Sequence, residues 1–155
     1  MTATIQAPEQ KLTDTFSKLE TALLTPVIAG EFSLWVSSVQ EAAATLAMDL
    51  TSYLRTVLHV QYAEIAKTDP EMSAYVEKLI AGDQELLQRM TQFHEELHAL
   101  AAASEHVKKN EGKLVDQRQR VEEEGIGLIL AIKKQQAAAT TWLAEAYFRD
   151  RGVGD

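Results

Sequence analysis

The sequence predicts an all-α fold, namely an antiparallel up-down four-helix bundle with three long helices and a shorter N-terminal helix. The strong helix formers Ala, Leu, Glu, Gln and Lys dominate the chain. Apolar residues recur at steps of three and four, which keeps them on one face of a helix, and no stretch alternates apolar and polar residues as a strand would. With 155 residues, 46% of them apolar, the chain is expected to form a single domain over residues 1–155.

Residues that end or begin helices divide the chain at three places. Pro26 cannot continue a helix, and Gly30 follows it. Asp69 suits the position that caps a helix, and Pro70 suits the first helical position. The sequence Asn-Glu-Gly at 110–112 provides the last turn. The predicted helices therefore lie at about 8–24, 30–68, 70–107 and 113–150, and the short connections between them predict antiparallel neighbours.

The three long helices each carry an apolar seam that predicts the core. In the second helix the seam consists of Phe32, Val36, Val39, Ala43, Leu46, Leu50, Tyr53, Val57 and Val60. In the third it consists of Met72, Val76, Leu79, Leu86, Met90, Phe93, Leu97 and Leu100, and in the fourth of Leu114, Val121, Leu128, Ile132, Ala139, Trp142 and Ala146. A repeat near 3.5 residues is typical of helices that pack knobs-into-holes in a left-handed bundle.

Two polar residues interrupt these seams, Asp83 in the third helix and Gln135 in the fourth. If the two helices form a hairpin, both residues lie at nearly the same depth, and Tyr53, Arg55 and His59 of the second helix lie at that depth too. A buried carboxylate is costly unless it is paired or hydrogen-bonded. We therefore predict an interior polar layer of Asp83 and Gln135, with Tyr53 as its third member. The alternatives are a polar flank, or a device that fixes helix register as a buried Asn does in a coiled coil.

The first helix is too short to cover this layer. If it folds back along the second helix, its beginning reaches only to about residue 45. Three long helices then surround the level of Asp83 and leave a fourth side open. That opening could serve as a ligand groove, a dimer surface or a wet cleft.

Composition and charge exclude several classes of function. The net charge is −8 and the chain has no cysteine, so neither a basic nucleic-acid-binding face nor a thiolate nucleophile or Cys-ligated metal is expected. The first residues do not resemble a secretory signal, and the longest apolar stretch, about 126–132, is too short to cross a membrane. We expect a cytoplasmic protein without nucleic-acid or membrane partners. No acid–base pair or nucleophile constellation stands out, so we expect no enzymatic activity and no catalytic residue.

Three segments resemble hemerythrin-like domains. These are the ending WLAEAYFRD at 142–150, which follows Lys134-Gln135-Gln136; the segment GDQELL at 82–87; and 54–64, which contains His59. Together they place the resemblance over about residues 30–150. The resemblance implies a four-helix bundle whose relatives hold a non-haem di-iron centre.

The chain departs from the family at the metal ligands. Asp83 and Gln135 stand where the family has ligand histidines, and His59 is followed four residues later by Ala63, with Glu64 one step too far to share its face. The four histidines of the chain, His59, His94, His98 and His106, are too few for the family's site. The resemblance therefore implies a retained fold and a lost metal site.

These observations lead to one expected function and one alternative. We expect a non-catalytic helical bundle of hemerythrin-like fold, without a di-iron site or cofactor, that acts through protein–protein contacts with a helical partner or through self-association. The alternative is an oxygen- or iron-related hemerythrin-like protein that binds a metal or small ligand in an altered site. Its weak candidate ligands are His59, Glu64 and Asp83, and its cofactor would be non-haem iron.

Overall fold

The computed structural model describes residues 7–106 and 114–152. Over these residues the chain is all-α, and four helices pack against each other as predicted. Helix α1 spans Pro8–Leu24. Helix α2 runs without interruption over 32–68 as an α-helix Phe32–Tyr53, a π-helical turn Leu54–Leu58 and an α-helix His59–Thr68. Helix α3 spans Ser73–His106 and helix α4 spans Val115–Gly152.

The helix boundaries follow the predicted breaks. Gly30 adopts a positive φ of 87° in the turn between α1 and α2, a conformation that glycine reaches at little steric cost. Asp69 separates α2 from α3 as expected, but Pro70–Met72 form a 3-10 turn and the α-helix begins only at Ser73. The turn predicted at 110–112 lies outside the described residues.

The predicted seams form the core. Every seam residue of α3 and α4 is buried except Trp142, which is half-buried and stacks on the ring of Tyr75 with the two ring centroids 3.9 Å apart. The seam of α2 is buried from Phe32 to Tyr53. The heptad pattern therefore identified the inward faces of all three long helices over most of their length.

The prediction that Val60 faces the core is wrong, because α2 changes register at its π-turn. Val60 is 59% exposed, whereas Leu58 and Tyr62 are buried. A π-turn takes one residue more than an α-turn, so each later residue lies one position out of step with the α-helical pattern. Leu54–Leu58 make this turn, and the buried positions move from Val57 and Val60 to Leu58 and Tyr62.

Helix α1 covers only one half of the bundle. It packs on α2 and α4, and Thr15 Oγ1 donates a hydrogen bond of 2.5 Å to Asp49 Oδ2 of α2. Near its beginning, the charge of Glu9 acts on the Tyr53 hydroxyl. The expectation that this helix reaches only to about residue 45 is wrong, because the contacts of Thr15 with Asp49 and of Glu9 with Tyr53 carry it about two turns further. Since α1 starts at Pro8, the part of α2 beyond Tyr53 has no α1 beside it.

Candidate functional site

Asp83 and Gln135 meet across the interior between α3 and α4. The Gln135 Nε2 atom donates to Asp83 Oδ1 at 3.1 Å and to the backbone oxygen of Leu79 at 2.8 Å. Asp83 is only 1% exposed. The antiparallel hairpin of α3 and α4, predicted from the sequence, thus brings together two residues that lie 52 positions apart in the chain.

Gly82 provides the space that this contact needs. A Cβ atom at position 82 would lie 2.6 Å from Gln135 Nε2 and 2.7 Å from its Oε1, well inside van der Waals contact. Only glycine lets the Gln135 amide lie against the α3 backbone, where it reaches both Leu79 and Asp83. Gly82 was not assigned a role from the sequence. Its position directly before Asp83, the acidic residue that interrupts the α3 seam, could have indicated one.

The second carboxylate oxygen of Asp83 faces α2. Its Oδ2 atom lies 3.8 Å from His59 Nε2, and His59 is 45% exposed. Asp83 Oδ2 and the Tyr62 hydroxyl are both buried, and neither makes a hydrogen bond of normal geometry with the described residues. Burial raises the pKa of the Asp83 carboxyl, and the Gln135 amide, the Tyr62 hydroxyl and His59 oppose that rise only in part.

Tyr62 is the residue of α2 that sequence reasoning missed. It is 1% exposed, and its pKa is raised by burial and then by the charge of Asp83. Tyr53, the predicted third member of the layer, is also buried, but its hydroxyl interacts with the side chain of Gln136. Burial raises the pKa of Tyr53 and the Gln136 contact opposes that rise. Asp83 influences Tyr53 through its charge, while Tyr62 and His59 approach Asp83 itself.

A groove lies on the open side of the bundle, between the C-terminal halves of α2 and α4. Its volume is about 260 Å³. Its lining residues are Gln61, Glu64, Ile65, Thr68, Asp69, Leu143 and Ala146.

The three weak metal-ligand candidates do not come together. His59 approaches Asp83, but Glu64 is exposed and forms part of the groove wall. Among residues 7–106 and 114–152, no group of three or more His, Asp or Glu side chains is placed to hold a metal ion. Over the same residues, no helix has the length and apolarity that a membrane crossing requires.

The comparisons with known proteins leave the family open. No protein-family model, no curated protein and no solved structure matches the chain. The geometry thus stands by itself: a four-helix all-α bundle with a buried polar layer and with a groove between α2 and α4 that no residue of α1 lines. Among the described residues it has no metal-binding cluster.

Proposed function

We propose that this chain is a non-catalytic helical bundle that acts through protein–protein contacts on its open side. The observation that carries the proposal is the length of α1. This helix begins at Pro8, beside Tyr53, so no helix among the described residues covers the part of α2 over 54–68 and the facing part of α4.

The residues of the open side fit a helical occupant. Ile65 and Leu143 are half-buried and pack against the core, and Ala146 is buried. Polar Gln61 and Thr68 lie beside them in the groove. An apolar floor with polar edges is the surface on which amphipathic helices dock.

The resemblance to hemerythrin-like domains supports a fold that is kept while its metal chemistry is lost. In this interpretation, Asp83 and Gln135 lie at the depth in the bundle where the family has its metal-ligand histidines. They satisfy each other through the Gln135 Nε2 to Asp83 Oδ1 hydrogen bond. A layer closed in this way holds α3 and α4 together without a metal ion.

A hemerythrin-like protein with an altered metal or small-ligand site is the second candidate. Two buried oxygen atoms favour it, since Asp83 Oδ2 and the Tyr62 hydroxyl lack hydrogen-bond partners among the described residues, and His59 lies next to them. Elemental analysis of protein purified without a tag separates the two candidates. Two iron ions per chain, or an oxygen-dependent near-ultraviolet absorption band, would support the second candidate and overturn the first.

Site-specific photo-crosslinking tests the proposed contact. A photoreactive amino acid replaces Leu143 in the groove, and in a matched control it replaces Leu130, a leucine of the same helix that is 59% exposed. We expect irradiation of the producing cells to give a defined crosslinked protein from position 143 and not from position 130. The protein that is crosslinked at position 143 must then bind this chain when both are purified. Equal products from both positions, or none from position 143, would contradict the proposal.

A further inference from the structure

We infer that the π-turn of α2 moves along the helix between two positions, and that Gln61 replaces Tyr62 beside Asp83 when it moves. In the observed register the turn lies at Leu54–Leu58. In the shifted register the stretch 54–61 is an unbroken α-helix and the turn lies at about 61–65. This motion belongs to α2 itself and does not require a partner in the groove.

The apolar pattern of α2 fits both registers at the place of Leu58. A π-turn holds one residue more than an α-turn, so each later residue takes the place that the preceding residue has in an unbroken α-helix. The observed register buries Leu58 and Tyr62, and the shifted register puts Val57 and Gln61 in their places. Because Val57 is apolar as Leu58 is, packing at this place alone does not confine the turn to Leu54–Leu58.

The buried oxygen atoms at Asp83 favour the shifted register. In the observed register, Asp83 Oδ2 and the Tyr62 hydroxyl are buried without a hydrogen-bond partner among the described residues. An amide already binds this carboxylate from α4, since Gln135 Nε2 donates to Asp83 Oδ1 at 3.1 Å. Gln61 in the place of Tyr62 offers a second amide from α2, either directly or through a water molecule in the space that the longer tyrosine leaves. The shifted register thus compensates a buried acceptor that has lost its water.

Ile65 limits how far the turn moves. It packs against the core and lines the groove, and in a helix unbroken to its end Glu64 would take its place. A carboxylate there would lose water without gaining a partner, which is costly. The helix therefore returns to the observed register before Ile65, and the shifted turn is confined to about 61–65.

The wall of the groove changes with the turn. Gln61 lines the groove in the observed register, whereas Val60 is 59% exposed. When the turn moves, Val60 takes the place of Gln61, beside the groove residues Ile65 and Leu143. The buried carboxylate and the groove are therefore coupled, because the register that gives Asp83 a second amide also gives the groove a more apolar wall.

The observed register is the more populated one. It buries the larger Leu58 instead of Val57 and the ring of Tyr62 instead of the side chain of Gln61, and so it removes more apolar surface from water. The shifted register gains the amide contact and loses this burial. It is therefore a minor state that exchanges with the observed one.

Thiol labelling measures the minor state, because the chain has no cysteine of its own. When the turn moves, residue 58 takes the place of His59, whose side chain is 45% exposed. Position 50 lies before the turn and stays buried in both registers. We expect Leu58→Cys to react with a thiol reagent at least about tenfold faster than Leu50→Cys in the folded chain. Equal rates would overturn the inference.

Deletion of Arg55 separates movement of the turn from local unfolding. Arg55 is an exposed residue of the turn, and its removal leaves an unbroken α-helix in which Leu58 and Tyr62 keep their observed places. We expect this deletion to slow labelling at position 58 to within about twofold of that at position 50. Fast labelling that survives the deletion would show local unfolding and would contradict a moving turn.

A substitution at Gln61 gives the same answer if the deletion variant does not fold. Gln61→Leu removes the amide donor and keeps a residue of similar helix propensity. We expect it to slow labelling at position 58 by at least about threefold, whereas Gln88→Leu, at an exposed position of α3, should leave the rate unchanged. The same rate in both variants would count against the inference.

Methyl relaxation dispersion locates the exchange along α2, since movements of this kind occur in microseconds to milliseconds. We expect exchange at the methyl groups of Val57, Leu58 and Val60, which change place, and none at Leu50 and Ile65, which do not. Exchange at Ile65 as well, or at none of these methyl groups, would overturn the inference.

Discussion

Replacing Asp83 with Leu should stabilise the bundle. The Asp83 carboxylate is buried, and its Oδ2 atom makes no hydrogen bond with the described residues. Leaving such an atom unpaired costs about 1–3 kcal/mol. The substitution removes that penalty and loses one hydrogen bond, but Gln135 Nε2 keeps its 2.8 Å bond to the Leu79 carbonyl. Apolar isosteres often match or exceed buried charged groups in stability.

We expect Asp83→Leu to raise the free energy of unfolding by about 1–2 kcal/mol at pH 7. For a chain of this size that corresponds to a rise in Tm of roughly 2–8 °C. Urea unfolding followed by circular dichroism measures the free energy, and calorimetry measures Tm. A loss of more than about 2 kcal/mol would refute the reasoning, because only a required register device or a working site would make the carboxylate that valuable.

The advantage of Asp83→Leu should depend on pH. Burial raises the pKa of Asp83 in the folded chain above its ordinary value of 3.8. A raised pKa means that the folded state binds the proton more tightly than the unfolded state, so wild-type stability from this group is full below 3.8 and declines as pH rises through the folded pKa. The difference between variant and wild type should therefore be largest near neutrality and shrink towards pH 4.

Two controls isolate the charge of Asp83. Asp83→Asn keeps the shape and removes the charge, so it should retain most of the gain, and that gain should vary with pH as that of Asp83→Leu does, because only the wild-type carboxyl titrates. Asp49→Leu removes a carboxylate that accepts a hydrogen bond from Thr15, so it should destabilise the chain by about 1 kcal/mol. Stabilisation of similar size from both leucine variants would show that apolar character alone, and not the environment of Asp83, decides the result.

The glycines provide the remaining predictions. Gly82→Ala should force the Gln135 amide off both of its acceptors and destabilise the chain by about 1 kcal/mol, a loss that a Gln135→Ala background should largely remove in a double-mutant cycle. Gly125→Ala should destabilise by roughly 1–3 kcal/mol, since its Cβ would lie 2.5 Å from Leu23 Cδ1. Gly127→Ala should stabilise by up to ~1 kcal/mol, because the nearest atom would be 3.6 Å away. Thermal unfolding of the two alanine variants side by side checks the opposite signs.

The interior layer shows how far sequence reasoning reaches. Helix periodicity and short turns fix depth along the bundle, which is enough to place Asp83 opposite Gln135. They do not reveal the π-turn at Leu54–Leu58, because its residues fit an ordinary α-helix equally well. That turn brings Tyr62 to the carboxylate, while Tyr53, which precedes the turn, is buried as predicted.

The open side, too, has features that the sequence predicted and others that it did not. The break at Pro26 and the predicted helix at about 8–24 made the first helix short, so an open side beside the second helix was predicted. The lining of the groove was not predicted, since the register change of α2 decides that Gln61 and Ile65 line it. The charge of its walls likewise depends on which face Glu64 occupies.

Native mass spectrometry of the untagged chain, taken from the cells that produce it, tests most directly whether this is a metal-free bundle that acts through protein contacts. A single spectrum reports both bound metal and bound protein. We expect an assembly heavier than the 17.2 kDa of one chain, with no iron mass, that reverts to the single chain in the Leu143→Glu variant. A species of 17.2 kDa alone, or one chain carrying two iron ions, would contradict the account.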